Sequence, residues 1–154
     1  MSHVAPLSSG TFTGRPDGLV RSLSVFADPL IRVTTGLFLI PHGAQKLFGW
    51  FGGYGLEATG QFFATQLGLP ASLALLTGLI EFFGGILLAI GLATRPVALL
   101  ASGLLAVAAL KVHLGAGFFW TDGGFEYPVM WAILALTFAV RGGGRYSLDR
   151  RLGL

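Results

Sequence analysis

The first 25 positions mix small, polar and apolar residues without a helical period, after which the chain turns apolar in long runs. Four runs, roughly 28 to 50, 71 to 93, 95 to 117 and 123 to 141, approach or reach the ~20 residues that a helix needs to cross ~30 Å of hydrocarbon. The pattern predicts an all-α protein, an integral membrane four-helix bundle spanning residues 26–142. A flexible tail over residues 1–25 precedes it and a basic tail over residues 143–154 follows. A cleavable signal peptide is not expected, because the first long apolar run starts only near Pro29. The first interruption, "GGYGLEATGQFFATQLGLP", combines glycines with Phe62 and Phe63 and predicts a partly ordered loop or a short interfacial helix. The second, "GLATRP", is short enough to fold its flanking helices into an antiparallel hairpin. The third, "GAGFFWTDGGFEYP", places Pro128 near the first turn of the last helix, where a missing amide proton costs little.

Composition agrees with lipid as the solvent. Hydrophobic residues make up 53% of the 154 positions and charged ones 11%, and the mean hydropathy is +0.74, so polar groups are too few to cover a soluble domain of this length. The absence of cysteine excludes disulfides, thiol redox chemistry, and thiolate-held zinc or iron–sulfur clusters. The net charge of +3 does not form a nucleic-acid-binding face, because the basic residues sit at the borders of the apolar runs. Arg15, Arg21, Arg32, Arg95, Arg141, Arg145, Arg150 and Arg151 all fall on one side of an even-numbered bundle, which places both termini in the cytoplasm.

Polar residues inside the runs are the candidates for chemistry, since an ionisable group at membrane depth costs ~2.5 to 3.5 kcal/mol on insertion and tends to face the protein interior. Counted at ~1.5 Å per residue from the arginine-rich end, His42 comes at ~21 Å and Glu81 at ~18 Å, so they can stand level. Lys46, Lys111 and His113 fall at ~24 to 27 Å on the same scale, and Glu126 would join from the last helix. Glu81 shares a helical face with Ala74, Gly78 and Gly85, a small-residue face that lets a neighbouring helix approach and bury it. A buried carboxylate must pair with a cation or be protonated. Both states suit proton handling beside a ligand, and the alternative is an ion pair with His42, Lys46 or Lys111 that only fixes packing. His42 and Lys46, four apart, share one face. Snorkelling is the alternative role for Lys46, and a satisfied hydrogen-bonding histidine for His42. Pro41 beside them is expected to kink the helix and free backbone carbonyls. His42 and His113 are the two histidines beyond the tail, but one histidine per helix without a haem-packing pattern disfavours axial haem ligation. Arg32 reads as a simple anchor, Trp50 and Trp120 as belt residues, and "GGGRYSLDRRLGL" as a juxtamembrane basic tail attracted to anionic lipid.

"GLFLIPHGAQKLFGW", "GLIEFFGGILLAIGLATRP", "KVHLGAGFFWTDGGFEYP" and "GRYSLDR" together resemble the motifs of the DoxX family of small four-helix bacterial membrane proteins, over about residues 30 to 150. The resemblance implies a multi-pass protein of the bacterial inner membrane and a subunit role in a quinone-linked oxidoreductase or an oxidative-stress complex. It marks His42, Gln45, Lys46, Glu81, His113 and Glu126 as family-like positions. On this reading a quinone or similar membrane-soluble molecule binds in a polar pocket between helices. Glu81 and His42 are the candidate catalytic residues, and Gln45, Lys46, Lys111, His113 and Glu126 the ligand-binding ones, with no metal. Partner subunits, the lipid bilayer and a second copy of the chain are the expected contacts. No residue set supplies a redox centre, so catalysis by this chain alone is doubtful. The alternative is a non-enzymatic membrane protein that transports, exports or scaffolds.

Overall fold

Helical periodicity and the scarcity of helix breakers inside the apolar runs carry over into a computed structural model that describes residues 18–154. The expected tail lies outside the described residues as far as position 17. From Gly18 the chain forms a short helix, α1 (Gly18–Ser24), followed by α2 (Ala27–Phe48), α3 (Gly55–Gln66), α4 (Leu73–Ile90), α5 (Thr94–Ala108), α6 (Glu126–Arg141) and α7 (Leu148–Leu152). No strand occurs among the described residues. Helix α5 continues as one π-helical turn, Ala109–His113, and a 3₁₀ turn, Leu114–Ala116. The first interruption is the helix α3, and Pro128 sits in the first turn of α6 as its missing amide proton demands. Among the described residues two helical stretches, Leu73–Ile90 and Thr94–Ala116, are long and apolar enough to cross a membrane, with mean hydropathies of 2.2 and 2.0.

Helix α2 packs most closely on α4, and α5 on α6, while the two pairs meet mainly through the α4–α5 hairpin. Glycine sets the first contact. A Cβ on Gly36 would strike the backbone of Gly85 and lie 2.6 Å from the amide nitrogen of Ala89, and one on Gly85 would lie 2.7 Å from the Gly36 carbonyl oxygen. Backbones can approach this closely only where neither residue carries a side chain. The outer faces stay apolar, with Leu30, Leu110, Ile133 and Val140 all exposed.

The arginine-rich end is closed by a lock that the sequence alone did not suggest. Arg32, 1% exposed, donates to the carbonyls of Leu88 at 2.6 Å, Ala89 at 2.7 Å and Tyr146 at 2.9 Å. The first two are carbonyls of the last turn of α4, where Leu88 otherwise meets only the capping Gly91 amide, at 3.2 Å. Arg32 is therefore a helix cap and cross-brace rather than a simple anchor. Asp149 caps the other side of the hairpin, accepting from the Ala93 amide at 2.6 Å and the Thr94 amide at 2.9 Å. Burial pushes the Asp149 carboxyl up, but contacts from Thr94 and Ala93 and the charge of Arg32 outweigh it and hold the group below the usual carboxylate range. Ser147 starts α7 by accepting from the Arg150 amide at 3.2 Å. The segment 147–152 is thus folded against the helix ends, and its buried Ser147 and Asp149 belong to the core of that end.

Candidate functional site

Packing divides the molecule along its length. In the arginine-rich half Leu39, Leu88, Val97, Ala98, Ala101, Ala135 and Phe138 form a closed core. Toward the opposite end the two helix pairs diverge and leave a cavity of about 1250 Å³. Its wall is mostly apolar, built by Leu73, Leu76 and Ile80 of α4, Phe62 and Phe63 of α3, and Trp131 of α6, among others.

The polar groups of this cavity come from the positions that interrupt the apolar runs. Lys46 Nζ lies 2.6 Å from Glu81 Oε2, joining α2 to α4. Glu81 is 5% exposed, whereas the lysine side chain keeps 25%, so a ligand meets the pair on its lysine side. An ammonium has three protons to donate. One goes to Glu81, a second points weakly at the His42 carbonyl, 3.5 Å away, and the third has no acceptor among the described residues. Glu81 Oε1 likewise has no donor among the described residues. The pair therefore offers a ligand one donor and one acceptor side by side.

His42 lies one turn before Lys46 on the same face of α2 and lines the cavity, as does Thr35 two turns before it. Gln45 lines the mouth, where its Nε2 donates to the Phe51 carbonyl at 3.3 Å and ties α2 to the turn that follows it. Lys111 and His113 enter from the far wall on the π-helical turn, a local widening of the helix often found at functional positions. His113 Nδ1 lies 2.6 Å from the Gly123 carbonyl. A carbonyl has no proton to give, so Nδ1 carries one and Nε2 is the nitrogen left for a ligand. Among the described residues no group of His, Cys, Asp or Glu side chains could hold a metal ion.

Six of the seven sequence-derived candidates (His42, Gln45, Lys46, Glu81, Lys111 and His113) thus border one cavity. Glu126 does not. It begins α6 with its amide bonded to the Phe118 carbonyl at 3.1 Å, between Gly124 and Tyr127, which do line the cavity, so it stands at the expected level but on another face of the helix start. Trp120 borders the cavity and stacks on Tyr127 at 5.2 Å, and is more than a belt residue. Thr35, Tyr54, Thr77, Tyr127 and Trp131 were not read from the sequence as site residues. Thr35 was open to discovery, because it shares the heptad face of His42; the others depend on how distant helices meet.

A mostly apolar cavity with a few converging polar groups, set among described residues that are helical and include membrane-length helices, is the architecture of a membrane-associated protein. The sequence profile of the DoxX family matches residues 27–114, and the chain belongs to that family. It is 35% identical over 120 residues to the Bacillus subtilis (strain 168) protein named "Putative oxidoreductase CatD", covering 78% of this chain and 82% of that one. It is 33% identical over 124 residues to an uncharacterized protein of Haemophilus influenzae, covering 79% and 87% of the two chains. No solved structure matches.

Proposed function

We propose that this protein is a multi-pass membrane subunit, four helices crossing the bilayer with both termini in the cytoplasm, that binds a quinone-class molecule for an oxidoreductase complex. The observation that carries the reading is the Lys46–Glu81 pair on the wall of an apolar cavity. A quinone is flat and greasy, with carbonyl oxygens that accept hydrogen bonds and hydroxyls, after reduction, that donate them. The free proton of Lys46 suits the first state and the open oxygen of Glu81 the second. Lys111 and His113 stand on the opposite wall for the second oxygen of the ring. The residues bind, orient and exchange protons; the electrons come from a partner subunit. The oxidoreductase in the name of the Bacillus protein supports this assignment, as does the family's association with quinone-linked complexes.

Purification from native membranes, followed by organic extraction and absorbance spectroscopy, tests the reading. A quinone recovered with the protein supports it. A protein that carries only bulk phospholipid, with the cavity accepting transported solutes of other chemistry, overturns it in favour of transport or export.

A further inference from the structure

A second cleft, of about 950 Å³, opens at the arginine-rich end between the start of α5 and the loop Gly142–Gly143–Gly144 that follows α6. It lies a core's length away from the ion pair and takes no part in the reading above. Arg95, Arg141, Arg145 and Arg150 line it against one acidic side chain, Asp149, with the last residue, Leu154, beside them. Two of these charges are already answered. Arg141 pairs with Asp28 at 2.7 Å, and Asp149 is held by two amides and faces the charge of Arg32. Arg95, Arg145 and Arg150 remain without an ion-pair partner among the described residues.

Glycine lets the loop turn sharply and pack against the start of α5. Gly142 and Gly144 have φ of +81° and +73°, which side-chain-bearing residues rarely adopt. A Cβ on Gly143 would sit 2.6 Å from Thr94 Oγ1, and one on Gly142 3.2 Å from Arg95 Nε. The guanidinium of Arg95 therefore lies directly over the loop. The amides of Gly143, Gly144 and Arg145 donate to no acceptor among the described residues. Free backbone donors beside unpaired guanidinium groups form an anion-binding concavity, and guanidinium matches phosphate in geometry as well as charge.

We propose that this cleft binds a phosphate group, and that its source is the headgroup of an anionic phospholipid in the leaflet facing the arginine-rich end. The lipid source is favoured over free phosphate by what lies beside the cleft. Val140, next to Arg141, is 70% exposed, and Leu99, one turn into α5 from Arg95, is 58% exposed although it also borders the larger cavity. A headgroup seated on the arginines would lay its acyl chains along these side chains.

The test uses the full chain in a neutral detergent, titrated separately with phosphatidylglycerol, phosphatidylcholine and inorganic phosphate, with native mass spectrometry and thermal unfolding as readouts. Phosphatidylglycerol is expected to bind and raise the melting temperature, and phosphatidylcholine to do neither. Arg95→Gln and Arg150→Gln should each weaken phosphatidylglycerol binding about fivefold and together roughly thirtyfold, while Arg151→Gln, outside the cleft, leaves it unchanged. All three are exposed, so folding is not at stake. Inorganic phosphate that binds as tightly as the lipid, with the same dependence on Arg95 and Arg150, would support the phosphate site and reassign its source. Equal binding of both lipids, or equal losses for Arg151→Gln and Arg95→Gln, would overturn the proposal.

Discussion

Arg32 and Lys46 are both cations on α2, and their surroundings give them opposite tasks. Arg32 spends its guanidinium on three carbonyls and has no room for a ligand, whereas Lys46 spends one proton on Glu81 and keeps one free. Arg32→Met is expected to lose about 2 kcal/mol of stability by removing the cross-brace to Leu88, Ala89 and Tyr146, and to leave ligand binding unchanged in the fraction that folds. Thermal unfolding beside a ligand-occupancy assay checks both halves. Asp149 makes the lock sensitive to acid. Its carboxyl is held below the ordinary value near 4, so its contribution is complete above that value and is lost as pH falls through the lower value of the folded state. Asp149→Asn has no such titration. The gap in melting temperature between the natural protein and Asp149→Asn should be widest near neutral pH and narrow below about pH 4; a gap independent of pH would show that the charge contributes nothing. Neither role was legible in the sequence, because Arg32 meets residues 88, 89 and 146, and no local pattern reports a contact over that separation.

At the level of helices, legibility follows how local the cause is. The four apolar runs give α2, α4, α6, and α5 together with its π and 3₁₀ continuation, to within a few residues, because hydropathy and breakers act over neighbouring positions. The π-helical turn at Ala109–His113 was not legible, since it depends on what packs around it. The glycine face of α4 was readable as a close-approach surface, though its partners on α2, Gly36 and Gly43, needed the structure. Gly36→Ala should cost about 1 to 3 kcal/mol by pushing α2 from α4. Gly103→Ala has nothing within 4 Å of the new carbon and should be neutral or stabilising by up to about 1 kcal/mol, because alanine is the better helix former. Denaturation of the two variants side by side separates close packing from helix propensity; similar losses would mean that the α2–α4 contact is not limiting.

For the molecule as a whole, one half is closed and braced while the other is open and lined by polar groups. Six polar candidates border the cavity, legible because a charged or imidazole group in an apolar run is conspicuous wherever it lies. The aromatic and threonine lining was not legible, being ordinary in composition and special only in place, and Glu126 does not border the cavity although its neighbours Gly124 and Tyr127 do. The central claim is that the Lys46–Glu81 pair serves a ligand and does more than join two helices. Breaking a buried pair from one side costs ~3 to 5 kcal/mol when the remaining charge stays unanswered, so stability alone cannot decide. The deciding measurement is the amount of quinone retained per protein after purification for the natural chain, Lys46→Met and Glu81→Gln, with the melting temperature taken on the same samples. The account predicts that occupancy falls by tenfold or more, roughly 1.4 kcal/mol of binding, in variants that still melt cooperatively. Wild-type occupancy in both variants, alongside a lowered melting temperature, would contradict it and leave the pair as a structural bridge.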